Sequence, residues 1–221
     1  MAAQDQALRT NWVSVMIDKR QGSAMCRMCG ERDETISHIL SECKKLAQNE
    51  YKKWRHDKVA AVIHWHLCHK FGFSCGSKNY EHFVDNTIAV LENEAVKLLW
   101  DFSMQTESKI EHNRPDIVVI EKKSKTCYII DVACPFDTRI EKKEMEKKDA
   151  YCDLKYEMFK VYKGEVNKVF IIPIIIGALG SVTKRFKSYL EQLKCDVQLE
   201  VVQRTCLLGS ARILRKVLDT K

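Results

Sequence analysis

Two kinds of hydrophobic spacing alternate along the chain. Between Leu46 and Leu67 the apolar residues Tyr51, Val59, Val62 and Ile63 recur at helical intervals, and this run predicts a helical region. From about Leu91 the apolar residues gather into short continuous blocks. KLLWDFSMQT reads as a strand or a helix-to-strand transition. The blocks Ile117 to Ile120 and Cys127 to Ala133, separated by a polar Glu121 to Lys125 segment, read as a β-hairpin with a charged turn. Residues 138–164 return to helical spacing, with Thr138 and Glu141 placed as a capping box and Gly164 as a stop. KVFIIPIIIG has the continuous apolar character of a buried strand, and two helices, Val182 to Leu193 and Leu199 to Leu218, close the chain. The second half is therefore expected to be α/β, built from a hairpin, a crossover helix and a central strand.

Four segments follow from this pattern. Residues 1–25 form a helical stub that looks like the tail of something longer. Residues 26–75 hold a Cys/His cluster and a basic helix, 76–95 a linker or helix, and 96–221 the α/β domain. Phe71 to Asn79, with Gly72, Gly76 and two serines, is the best linker candidate. There is no internal repeat and no low-complexity tract.

Composition narrows the chemistry. The 221 residues are 45% hydrophobic, a globular value, and 37 Lys and Arg against 30 Asp and Glu leave a net charge of +7. That excess suits a polyanionic partner without demonstrating one. No secretory leader is visible, and the longest apolar run, from Val169, is too short for a bilayer and contains Pro173. A soluble intracellular protein with no membrane partner is expected. Its ten cysteines then read as metal ligands for a few and buried thiols for the rest.

Spacing picks out the ligands. Cys26-x2-Cys29-x8-His38-x4-Cys43 supplies three thiolates and one imidazole, the number and mix that suit tetrahedral zinc. Four protein ligands leave no position for water, so the site is expected to be structural. A segment this short has little core of its own, and metal binding supplies much of its folding free energy. A second group, His64, His66, Cys68, His69 and Cys75, offers rival ligands, but His64, Cys68 and Lys70 fall among aromatic and aliphatic residues on a helix, and the group reads as packing or surface residues.

The hairpin raises a different question. With its turn centred between Lys123 and Ser124, Asp116 faces Asp131 at the open end of the strands. Opposed side chains have Cβ atoms roughly 4.5–5.5 Å apart, and like charges at that spacing destabilise a sheet. A hard divalent cation, which takes oxygen ligands, reconciles them. On the next helix Lys147, Tyr151, Leu154, Met158 and Tyr162 share one stripe, so Lys147 heads an otherwise apolar face and can present its ammonium at the strand ends. Lys142, Lys143 and Lys148 lie on charged flanks, and Lys155 projects beside the stripe. Pro115-Asp116 alone is a common turn dipeptide. The acid pair with an inward lysine is a more demanding combination.

RPD-x14-D followed by a lysine-bearing helix resembles the PD-(D/E)xK restriction-like nucleases, except that Ala133 stands where their lysine usually sits. The displaced lysine and the preceding Cys-Cys-His-Cys knuckle resemble the C-terminal region of site-selective non-LTR retrotransposon polyproteins. Further segments are similar to that family: AQDQALRTN, RHDKVAAVIHWHLC, LLWDFSMQT, IIPIIIGALG and LLGSARILRKVL. The resemblance implies a restriction-endonuclease-like core, a mixed sheet flanked by helices, behind a small helical zinc-knuckle module. It also implies that the protein nicks target DNA in the nucleus to prime reverse transcription, with retrotransposon RNA as a further partner and the cytoplasm as a further location. Asp116 and Asp131 would hold magnesium, or manganese, and Lys147 and Tyr151 would complete the catalytic site. The family's Lys-x-x-Lys-Tyr element reads Lys147, Lys148, Asp149, Ala150, Tyr151 here, so the second lysine is missing. A weakened or inactive nucleic-acid-binding relic is the alternative, and protein binding through the last helix a third reading. Lys52, Lys53, Arg55 and Lys58 are candidates for phosphate contact, and Glu94 or Asp101 for a further metal ligand.

Overall fold

The computed structural model describes residue 3 and residues 7–76, 89–194 and 196–220. Two π-helical turns, Val13–Ile17 and His38–Glu42, precede α1 (Lys44–Leu46). A π-helical segment, Ala47–His56, and α2 (Asp57–Lys70) continue from it, so the helical spacing read from Leu46 onward is realised as one run of helix. Strands β1 (Val90–Glu92), β2 (Val96–Trp100), β3 (Ile117–Glu121) and β4 (Thr126–Ala133) follow. A 3-10 turn, Asp137–Arg139, leads into α3 (Ile140–Ala150) and α4 (Cys152–Val161). After these come β5 (Lys168–Ile175), α5 (Phe186–Leu193) and α6 (Leu199–Asp219).

The fold is mixed α/β, a five-stranded sheet in the order β1-β2-β3-β4-β5 flanked by helices. β1 to β4 are antiparallel neighbours, and the crossover through α3 and α4 brings β5 in parallel to β4. Ile117 pairs with Ile130 and Glu121 with Thr126, the register expected for a turn centred between Lys123 and Ser124. Lys125, at φ 51°, turns the chain back.

Alternation along the strands buries both faces of the sheet. Val96, Leu98, Ile117, Val119, Ile130 and Val132 pack against Val59, Ile63 and Leu67 of α2 and against α5. Leu99, Val118, Ile120, Cys127 and Ile129 pack on the other face against Tyr151, Leu154 and Met158. The apolar stripe read from the sequence is therefore the docking face of the crossover helices. A third apolar cluster joins the Cys/His segment to the C-terminal helix: Ile36, Ile39, Leu40 and Leu46 pack against Ile213, Leu214 and Val217.

Three expectations change, and a fourth lies mostly outside the described residues. β5 lies at the sheet edge rather than at its centre, which is compatible with Pro173, since a proline lacks the N–H that an inner strand would have to donate on its second side. The crossover is two helices, because Tyr151 leaves helical geometry at φ −99° and ψ 8°. The capping box does not form: Arg139 is the N-cap of α3, with no side-chain cap hydrogen bond, after the 3-10 turn takes up Thr138. The linker expected over 76–95 falls mostly on 77–88, outside the described residues, and its end is already β1 in the sheet.

Close packing of the π-helical segment on α6 depends on Gly209. A Cβ there would sit 2.3 Å from the Trp54 carbonyl oxygen and 2.5 Å from Arg55 Cγ. Gly209→Ala is expected to cost about 1–3 kcal/mol through this overpacking. At roughly 2–4 °C per kcal/mol for a chain of this size, a thermal melt measures it directly.

Candidate functional site

Two clusters of chemistry-bearing side chains stand out, and both begin from short local turns. Cys26 and Cys29 lie on a turn closed by the Gly30 N–H donating to the Cys26 carbonyl (2.7 Å) and by the bridge between Met25 and Asp33. His38 opens the second π-helical turn, and Cys43 ends it, its N–H donating to the His38 carbonyl (2.9 Å). The four ligand atoms lie within 4.8 Å of one another. Tetrahedral coordination by sulfur and nitrogen needs separations of roughly 3.5–3.8 Å. The group can hold a metal such as zinc, and among the described residues it is the only Cys, His, Asp or Glu group so placed. Cys29 Sγ is already 3.3 Å from His38 Nε2. In the second His/Cys group, His64 and Cys68 are buried in the core and His69 is exposed.

Burial pushes the Cys26 thiol up, and burial with its thiol neighbours pushes Cys43 up to about 12. For Cys29 burial acts in the same sense, but the Glu31 N–H and the thiol partners outweigh it and lower its pKa. Burial lowers His38, favouring the neutral imidazole that a metal requires. Under the cluster, Arg27 grips the fully buried Glu34 carboxylate with Nη2 at 2.7 Å and Nε at 2.9 Å. Its remaining Nη1 donates to the carbonyls of Leu218 and Thr220 at the end of the chain.

The second cluster lies where β3 begins and β4 ends. Asp131 is the inward residue near the end of β4, its side chain 5% exposed. Tyr151 donates its hydroxyl to Asp131 Oδ1 at 2.6 Å, from the break between α3 and α4. Lys147 Nζ lies 2.6 Å from Asp131 Oδ2, an ion pair off the hydrogen-bond direction, so Oδ2 has no well-aligned donor. Asp116 Oδ2 accepts the Val132 N–H at 2.7 Å, which fixes it beside β4. Burial raises the Asp131 pKa, the negative charge of Asp116 raises it further, and Lys147 opposes both. Burial and Asp131 together hold the Tyr151 hydroxyl protonated.

All four predicted residues of this site, Asp116, Asp131, Lys147 and Tyr151, thus meet at one end of the sheet. Among the further candidates, Asp101 adjoins the site, its N–H donating to the Asp116 carbonyl at 2.7 Å. Asp101 is engaged by Arg114, with Nε at 2.8 Å and Nη2 at 2.9 Å. Glu94 is exposed in the β1–β2 turn, at the end of the sheet where Val96 faces Glu121. Lys148 is drawn to Glu144 (3.7 Å) and lies over the Tyr189 ring.

One residue was not singled out from the sequence. His56 places Nε2 3.1 Å from Asp116 Oδ2 and Nδ1 2.9 Å from Asp57 Oδ1. Burial works against its charged form, but the bonds to Asp116 and Asp57 prevail and lift its pKa to about 10. The only sequence signal was its position within RHD. Its neighbour Arg55 is a correction to the phosphate-contact set: it is 1% exposed, donates to the Leu40 carbonyl at 2.6 Å and reaches Ser210 Oγ at 3.4 Å. Lys52 is also engaged, by Asp57 at 2.8 Å.

A cleft of about 410 Å³ opens beside this site, lined by His56, Cys134, Lys143 and Lys147 among others. A larger groove, about 770 Å³, is lined by Trp54, Lys58, Leu208 and Arg212 among others and includes none of the site residues. Among the described residues no helix is long and apolar enough to cross a membrane. No protein-family model matches the chain, and no curated protein matches it.

Proposed function

We propose that the chain is a metal-dependent DNA endonuclease with a restriction-like core behind a zinc knuckle. One observation carries this reading: Asp116, Asp131 and Lys147 converge at the open end of one hairpin, with the lysine ammonium 2.6 Å from a buried carboxylate oxygen. Two acids crowded beside a lysine, one of them with its pKa raised by burial and by the other, are an arrangement for chemistry more than for stability. Asp116 and Asp131 are the ligands for magnesium or manganese, which when bound offsets phosphate charge and activates water. Lys147 stabilises charge at the scissile phosphate or orients the attacking water, and Tyr151 fixes Asp131. Cys26, Cys29, His38 and Cys43 hold structural zinc.

In this reading Lys53 and Lys58 give the sequence-independent, salt-sensitive phosphate contacts. The substrate is nuclear DNA, nicked so that its 3′-hydroxyl primes reverse transcription of a non-LTR retrotransposon RNA. Supercoiled plasmid with magnesium is expected to relax to the open circle, and chelator to prevent it. Nicking undiminished in Asp116→Ala would remove the site from the reaction. A second reading, nucleic-acid binding without cleavage, is favoured by Ala150 in place of a lysine and by the engagement of Lys148 with Glu144. DNA binding indifferent to magnesium, with no cleavage of any substrate, selects it.

A further inference from the structure

His56 connects the two clusters. Tyr51 donates its hydroxyl to the Ile39 carbonyl at 2.7 Å and accepts the Cys43 N–H at 3.1 Å, so it is tied to the segment that carries the last two ligands of the Cys/His cluster. Arg55, one helical turn on, binds the Leu40 carbonyl at 2.6 Å and stacks its guanidinium over the Tyr51 ring, 4.8 Å from the centroid. The next residue is His56. Both of its ring nitrogens face carboxylate oxygens, Asp57 on one side and Asp116 on the other, so both act as donors. Lys52 in turn holds Asp57 at 2.8 and 3.0 Å. On Asp116, His56 and the Val132 N–H converge on Oδ2, and Oδ1 is the oxygen left without a hydrogen bond among the described residues.

We propose that His56 is a positioning residue for Asp116, and that metal occupancy of the Cys26, Cys29, His38 and Cys43 cluster sets this contact through Tyr51 and Arg55. The proposal rests on the endonuclease reading for its consequence and on the hydrogen-bond chain for its mechanism. Clamping one oxygen of a carboxylate turns the other toward a cation, the task that partners behind metal ligands perform. Removing such a partner costs roughly ten- to a hundredfold in metal affinity or activity. With the cluster emptied, residues 38–43 lose their fixed geometry, Tyr51 and Arg55 lose their carbonyl partners, and His56 is released from Asp116.

The test uses the full chain in three measurements. Manganese binding, read by electron paramagnetic resonance, is expected to weaken about tenfold in His56→Ala and to recover most of that loss in His56→Gln, whose amide can donate in place of Nε2. The hydrogen-bonded imidazole proton of His56, assigned by nitrogen-15 labelling and its loss in Asp116→Asn, is expected to disappear when zinc is stripped and to return when zinc is restored. Nicking follows the same order. Equal manganese affinity in wild type and His56→Ala overturns the positioning role, and an imidazole signal indifferent to zinc overturns the coupling. A wild type that binds manganese, responds to His56 and zinc as stated, and never nicks DNA overturns the endonuclease reading instead. A wild type that binds no manganese at the acids overturns both.

Discussion

Replacing Cys26 and Cys29 by serine is expected to abolish zinc binding and, with it, the ordered structure of the segment that carries the four ligands. The reason is the makeup of that segment. Its secondary structure consists of one bridge and one π-helical turn. Two of its cysteines are buried, and their thiols resist ionisation without a metal. Structural zinc supplies roughly 10–16 kcal/mol of apparent binding free energy in small zinc modules at neutral pH, which is the scale of a whole domain's stability. The wild type should bind one zinc per chain, release it more readily as pH falls and ligand thiols regain protons, and resist protease around residues 26–46. The serine variant should bind none and be cut there. A variant that stays zinc-free, protected and as stable as the wild type would show that the apolar cluster under the ligands suffices alone.

Lys147→Met and Asp131→Asn are expected to reduce plasmid nicking by roughly 10²- to 10³-fold, the loss typical of removing one group that stabilises transition-state charge. The two variants differ in stability. Lys147→Met leaves Asp131 buried beside Asp116 without its cation, so Asp131 takes up a proton and the site becomes neutral at a higher pH than in the wild type. Asp131→Asn removes the charge and keeps an acceptor for the Tyr151 hydroxyl, so it folds with little loss. Circular dichroism and melting curves separate these effects from catalysis. Nicking at wild-type rates in either variant would leave the lysine and its carboxylate as a structural ion pair.

The legible parts of this molecule were the periodic ones. The turn residues and strand lengths set the hairpin register, and that register placed Asp116 and Asp131 at the same end. The stripe from Lys147 to Tyr162 likewise identified the face of the crossover helices that packs on the sheet. Contacts between distant segments were not legible. Arg55 and His56 sit in a basic run that reads as a solvated, phosphate-binding face, yet Arg55 is buried against Leu40 and Ser210 and His56 reaches Asp116. The strand β5 read as central because its second half is apolar throughout, but that burial comes from helices over an edge. The same blindness hid the partnership of the cysteine segment with α6, since neither partner's spacing records which neighbour will cover it.

That partnership also orders events during synthesis. Arg27 reaches the carbonyls of Leu218 and Thr220, 191 and 193 residues further along, and the apolar floor beneath the ligands is completed by Ile213, Leu214 and Val217. A ribosome making this chain delivers the cysteines well before the helix that closes their hydrophobic side. Until α6 emerges, the nascent segment lacks Ile213, Leu214 and Val217 beneath it, and closing so long a loop is slow. The cysteine segment is therefore translated before its partner helix and reaches its final environment only once that helix arrives.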